Sequence, residues 1–140
     1  MKANDIMTKD PRVVTPDTPA QVAARLMQSE DVGVLPVVES EKNRRLVGVI
    51  TDRDIALRIV ADGKTNAQVR DAMTSNVTTA RSDDSVKDVM KKMASEQVRR
   101  IPIVDGEGIV IGIISQADIV LEGDDKTAEK TIERISEPGR

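Results

Sequence analysis

The sequence predicts an α+β chain built from two copies of one helix–strand–strand–helix unit, each with a small sheet. The first observation is register. Asp5, Met7 and Thr8 return as Asp71, Met73 and Thr74, and the same 66-residue offset carries Met27 to Met93, Val32 to Val98 and Pro36 to Pro102. After a shorter turn in the second copy the offset becomes 64, taking Gly48 to Gly112 and Asp54 to Asp118. Self-similarity held this long marks a duplication. The second observation is a pair of short β-branched runs, Leu46–Ile50 and Ile109–Ile114, each interrupted by one glycine. Runs of that length and composition read as buried strands. The third is a helical apolar stripe in each copy.

Each unit opens with a polar, proline-containing stretch and then a helix. In the first copy Thr18 is the expected N-cap and Pro19 the first helical residue, since proline lacks only an N–H that the first turn leaves unused. Ala20, Ala23, Ala24 and Met27 follow at i, i+3, i+4 and i+7, one face of a helix. In the second copy Asp84 is the expected cap, with Val86, Val89, Met90 and Met93 in the stripe. The strands Val32–Val38 and Val98–Val104 come next. Each holds a proline, which lacks the ladder N–H and belongs at an edge or a bulge. Polar turns at Glu39–Arg44 and Asp105–Gly108 lead into the glycine-containing strands. These end at Thr51 and Ser115, where Thr51 with Asp54 and Ser115 with Asp118 show the Ser/Thr-x-x-Asp/Glu spacing that opens a helix. The first of these helices is expected to stop near Asp62-Gly63. Residues 1–66 and 67–123 are thus the expected domains, joined by Lys64–Val69, with a polar tail or loose helix over 124–140.

Composition narrows the chemistry. The chain has no Cys and no His, which removes disulfides, thiol nucleophiles, the usual zinc ligands and histidine bases. With no Phe, Tyr or Trp, a ring ligand has to be held by aliphatic side chains and backbone. A net charge of −3 gives no basic stripe for nucleic acid. No apolar run reaches the roughly 18–20 residues that span a bilayer, and no secretory leader opens the sequence. A cytoplasmic location without membrane or nucleic-acid partners is expected. The acidic clusters Ser82–Asp84 and Glu122–Asp125 lack the order of a calcium loop, so no metal and no cofactor are expected.

With both copies laid out, the sequence resembles a tandem pair of CBS domains (cystathionine β-synthase domains), a Bateman module. The resemblance covers residues 5–121 and rests on Val-Leu-Pro-Val-Val and Arg-Ile-Pro-Ile-Val, then on Leu-Val-Gly-Val-Ile-Thr-Asp-Arg-Asp-Ile and Val-Ile-Gly-Ile-Ile-Ser-Gln-Ala-Asp-Ile. It implies two repeats about a pseudo-twofold axis, with clefts that take AMP, ADP, ATP or S-adenosylmethionine. Carried onto this chain, the family's ribose motif falls on Thr51 with Asp54 and on Ser115 with Asp118. The positions that line adenine and phosphate fall on Val32, Gly33 and Val34, and on Val98, Arg99 and Arg100. Arg99 and Arg100 match a phosphate clamp, since a guanidinium can meet phosphate oxygens with two parallel bonds. The family pattern further implies that one cleft joins Val32–Val34 with Arg99, Arg100, Ser115 and Asp118, and the other joins Val98–Arg100 with Thr51 and Asp54. Gly33-Val34 departs from the charged pair of the second copy, so the two clefts should differ toward phosphate.

Plainer readings stand beside these. The Thr51/Asp54 and Ser115/Asp118 pairs serve as capping boxes in any case. Arg99 and Arg100 could pair with surface acids. Gly48 and Gly112 read as close-packing positions rather than phosphate loops. The functional expectation is a free-standing, non-catalytic regulatory or sensor module, homodimeric, acting on a separate regulated protein. The alternative is an interaction or scaffold module with vestigial ligand clefts.

Overall fold

The structure is a computed structural model and describes residues 1–122. The tail expected over 124–140 and the acidic residues 123–125 lie outside the described residues. In chain order the elements are helix α1 (Ala3–Ile6), strand β1 (Thr8–Lys9), helix α2 (Ala20–Glu30), strands β2 (Val34–Val38) and β3 (Leu46–Thr51), and helix α3 (Asp52–Ile55), which runs on as a π-helical stretch over Ala56–Val60. A 3₁₀ turn (Val69–Asp71) precedes strand β4 (Ala80–Arg81), helix α4 (Val86–Glu96), strands β5 (Arg100–Val104) and β6 (Val110–Ser115), and helix α5 (Gln116–Glu122). The α+β composition and the duplicated unit both match the sequence reading.

The two compact units do not coincide with residues 1–66 and 67–123. One is Pro11–Val77, the first-repeat unit; the other, among the described residues, is Met1–Asp10 together with residues 78–122, the second-repeat unit. Each repeat's leading segment has been given to the other repeat. In the second-repeat unit β1 pairs antiparallel with β6 (Thr8 opposite Ile113), and Lys2 bridges Ser85. In the first-repeat unit the same bonds recur as single bridges, Val49 with Thr74 and Pro19 with Gln68. The β4–β5 pairing (Ala80 opposite Ile103) likewise reappears as a Val14–Val37 bridge. The exchanged segments are core, not linker. Ala3, Val69 and Ala72 are at most 1% exposed. Val69, expected at the end of a connection, sits among Val14, Ala23, Leu35 and Ile50.

The apolar stripes go where their spacing sends them. Ala20, Ala23 and Met27 are buried in the first-repeat core, and Val86, Val89, Met90 and Met93 in the second, beside Ile101, Ile103 and Ile114. Ala24 is half-buried. The caps move by one residue from the expected ones. Pro19 occupies the N-cap of α2 with no side-chain bond, because the Thr18 hydroxyl instead accepts from Thr15 N at 3.0 Å. The α4 cap is Ser85, whose Oγ accepts from Asp88 N at 3.1 Å. Asp84 is drawn back to Arg81 N at 2.9 Å, with Lys92 Nζ 3.9 Å away. The strands start two residues later than expected, at Val34 and Arg100.

Pro102 lies in a strand with neighbours on both sides, since the sheet order is β1-β6-β5-β4. It is tolerated there because β4 reaches only Ile103 and Val104, so no ladder on that side asks for the missing N–H. Both hairpins slip register at the next step, between Val37 and Val38 and between Ile103 and Val104. The tight second turn is closed by Asp105, whose carboxylate accepts from Ile109 N at 3.0 Å and Glu107 N at 2.9 Å. Those two N–H groups hold its pKa below the usual carboxylate range.

Candidate functional site

A β-strand feeding directly into a helix leaves its last hydroxyl and the helix's third residue at one sheet edge, and both repeats use this arrangement. In the first-repeat unit Val34 pairs with Thr51, and Asp52 N donates to Gly33 O at 3.0 Å. Thr51 Oγ1 accepts from Asp54 N at 3.0 Å, and Asp54 Oδ2 accepts from Thr51 N at 2.9 Å. The second-repeat unit repeats the scheme. Arg100 pairs with Ser115, and Gln116 N donates to Arg99 O at 2.9 Å. Ser115 Oγ accepts from Asp118 N at 3.3 Å, and Asp118 Oδ2 accepts from Ser115 N at 2.9 Å. The capping role of all four residues is therefore real.

Capping does not exhaust the carboxylates. An ionised carboxylate offers about four lone-pair sites, and each box uses one oxygen. Asp54 Oδ1 has Arg58 Nε 3.9 Å away, and the Asp54 side chain keeps 16% of its surface exposed. Arg58 is itself directed to the exchanged segment, donating to Ala72 O at 3.1 Å. Thr51, Ser115 and Asp118 are likewise half-buried, and all are fixed by their backbone bonds.

The residues expected to line adenine and phosphate divide by repeat. Val32 is exposed, Gly33 half-buried and Val34 buried at the first-repeat edge; Val98 is half-buried, and Arg99 and Arg100 are exposed at the second. Within each unit the structure brings these residues to the same strand end as that repeat's own hydroxyl–carboxylate pair. Among the described residues neither Arg99 nor Arg100 forms an ion pair. No group of three or more Asp and Glu among the described residues could hold a metal. No helix among them is long and apolar enough to cross a membrane.

Two residues escaped the sequence reading. Gln97, in the left-handed conformation that ends α4 (φ 52°), and Gln116, the first residue of α5, each bury a side-chain carbonyl oxygen with no hydrogen-bond partner among the described residues. Both lie at the Arg99–Arg100 edge. Their counterparts by register are Asp31 and Asp52, and that Gln-for-Asp exchange was the available signal.

A family model for the CBS domain matches residues 3–61 and again residues 69–124. The chain belongs to the CBS-domain family. Similar proteins include the uncharacterized protein YlbB of Bacillus subtilis (strain 168), 38% identical over 138 residues, covering 97% of this chain and 92% of that protein. Among solved structures, the CBS domain pair of protein MJ0100 in complex with 5′-methylthioadenosine and S-adenosyl-L-methionine is 32% identical at a TM-score of 0.78. That likeness covers 86% of this chain and 94% of the other. CBSX2 in complex with AMP is 29% identical at a TM-score of 0.74, over 86% and 93% of the two chains. The tandem CBS pair is thus the architecture of this chain as well.

Proposed function

We propose that this CBS pair is a non-catalytic regulatory module that binds an adenosine-containing ligand (AMP, ADP, ATP or S-adenosylmethionine) at its strand–helix edges. The observation that carries this reading is the doubly repeated Thr51/Asp54 and Ser115/Asp118 pair, fixed by capping bonds yet only half-buried. A ribose offers two neighbouring hydroxyls, and a carboxylate held by its own helix can accept from them without losing side-chain entropy on binding. The adenosine ligands of the MJ0100 pair and of CBSX2 support the choice of ligand class. Aliphatic side chains at these edges, Val32 and Val98 among them, would cover the base, since the chain has no aromatic to stack on it. The module would signal to a separate protein and self-associate. Leu57 and Val60, 52% and 70% exposed on one turn of the π-helical stretch, supply an apolar face for a second copy. That face also suits the alternative, an interaction module with unused clefts.

Calorimetry and thermal melts with AMP, ATP and S-adenosylmethionine separate the two readings. Ligand at 100 times its dissociation constant should add about 2.7 kcal/mol of stability; no heat and no melting shift with any of the three would leave the interaction module. Asp118→Ala should weaken binding at its edge by about tenfold or more, as expected for lost charge-assisted hydrogen bonds. It should also cost about 1 kcal/mol of stability, because Ser115 N loses its acceptor. Unchanged affinity for every adenosine ligand in this variant would remove Asp118 from the site.

A further inference from the structure

We infer that two copies of this chain trade their leading segments, residues 1–10 of each completing the second-repeat unit of the other. The inference rests on the self-association proposed above, for which it gives the route, and does not depend on which ligand binds.

The leader is held by contacts that any copy's leader could make. Ala3 N donates to Asp84 O at 2.8 Å and Asn4 N to Ser82 O at 2.9 Å, while Met1 O accepts from Val86 N at 3.0 Å. Ala3 is fully buried in the second-repeat core with Ile6 and Met7 packed against it, and Thr8 and Lys9 pair with Ile113 and Gly112 of β6. Every one of these partners belongs to the second-repeat unit, yet the chain that leaves the leader enters the first-repeat unit.

That crossing has no slack. Asp10 N is still bonded to Ile111 O at 3.2 Å, and the next residue, Pro11, is already buried, its carbonyl accepting from Arg44 Nη2 of the first-repeat unit at 3.0 Å. The turn is made at Asp10, whose φ of 50° lies in the left-handed region. Aspartate tolerates that region better than most residues. A residue before proline is nevertheless driven toward extended backbone, so the closed crossing is strained. The return crossing is built differently. Thr74 N is bonded to Val49 O in one unit, Thr79 O accepts from Lys92 Nζ in the other, and residues 75–78 run between them without a positive φ.

Trading leaders between copies keeps the leader contacts and lets Asp10 straighten. The balance between the closed chain and the traded pair is then hinge strain against the cost of association, which is why short, strained hinges favour such exchange. The twin peptide shows that the docking slot does not need one particular connectivity. Met73-Thr74 lies over Gly48 in the first-repeat unit as Met7-Thr8 lies over Gly112 in the second, although the two segments reach their slots by different routes.

The test is analytical ultracentrifugation of the full chain and of two hinge variants, with circular-dichroism melts confirming that each is folded. The native chain should sediment as a dimer at micromolar concentration. Inserting Gly-Ser-Gly between Asp10 and Pro11 gives the closed form its missing slack at small entropic cost, and should shift the chain to monomer. Asp10→Gly accepts a positive φ without strain, and should weaken the dimer at least about tenfold. Because the chain has no cysteine, Thr8→Cys with Ile113→Cys records whose leader lies on β6. Oxidised, that double variant should run as a covalent dimer on a denaturing gel, and the same pair in the insertion variant as a monomer. A native chain that sediments as a monomer would overturn both the exchange and the self-association. A dimer unweakened by the insertion, or a disulfide closed within one native-hinge chain, would overturn the exchange alone and leave self-association to another face, such as Leu57 and Val60.

Discussion

A fragment of residues 11–77 is expected to unfold cooperatively, whereas a fragment of residues 1–66, the repeat as the sequence lays it out, is expected to show no cooperative transition. The two differ little in length, so size does not decide the outcome. The longer reach toward the C-terminus supplies Val69 and Ala72, 0% and 1% exposed, to the first-repeat core. It also supplies the Val49–Thr74 bridge, with both bonds at 2.9 Å, the Val69 N to Thr18 O bond at 2.8 Å and the carbonyl that holds Arg58. Residues 1–10, which the other fragment carries instead, make their bonds with Ser82, Asp84 and Ile111 of the other unit. Loss of one buried aliphatic side chain costs about 2–5 kcal/mol, and a domain of this size has only about 3–5 kcal/mol in total. Removing Val69 together with its neighbours exceeds what the remainder can supply. Circular dichroism and urea titration of the two fragments check this directly. Equal midpoints would mean that the exchanged segments contribute nothing to either core.

That exchange marks the limit of what the sequence discloses. The duplication, its register, the apolar stripes and the hydroxyl–carboxylate boxes are local patterns, and each is found where the spacing puts it. The pairing of a repeat's leader with the other copy is not local. Asp5–Thr8 and Asp71–Thr74 are nearly the same peptide, so either could lie on either sheet as far as side-chain chemistry goes. Chain connectivity and turn geometry choose between them, and neither is written in the residues. The caps differ from the expected ones for a smaller reason. Thr18 and Asp84 are equivalent cap formers at the same register, and only the competing backbone donors, Thr15 N and Arg81 N, show that both are already engaged, leaving the cap to the next residue, Pro19 or Ser85. At the candidate site, Arg99 and Arg100 are legible in the sequence because charge is conspicuous. Gln97 and Gln116 are not, because a glutamine becomes informative only once the fold shows whether its oxygen is buried.

Gly48→Ala and Gly112→Ala should each destabilise the chain by about 1–3 kcal/mol, the usual cost of forcing atoms into a filled core, although both are among the smallest changes possible. Both glycines lie in mid-strand, where alanine is conformationally acceptable and even favoured over glycine by roughly 0.5–1 kcal/mol. Backbone strain is therefore not the reason. Space is. A Cβ on Gly48 would lie 2.6 Å from Thr74 O and 2.7 Å from Met73 Cε; one on Gly112 would meet Met7 Sδ, with Met7 Cγ at 2.9 Å and Thr8 O at 3.0 Å. In both repeats the missing side chain is the slot through which the exchanged leader crosses the sheet, as the close-packing reading of these glycines required. The two sites should nevertheless respond differently to a second change. The tightest contacts at Gly112 are with the flexible Met7 side chain, so Met7→Ala should recover part of the loss, a favourable coupling in a double-mutant cycle. At Gly48 the closest atom is a backbone carbonyl already engaged with Val49 N at 2.9 Å, and Met73→Ala cannot move it. Gly33→Ala is the control: its nearest neighbour is the end of the Asp52 side chain, which can swing away, and stability should change little. Urea melts of the five single variants and the two doubles measure all of this. A Gly48→Ala protein as stable as the native one would mean that the leader is free to lift from β3, and with it the link between the fold's exchanged segments and the strand that ends at Thr51.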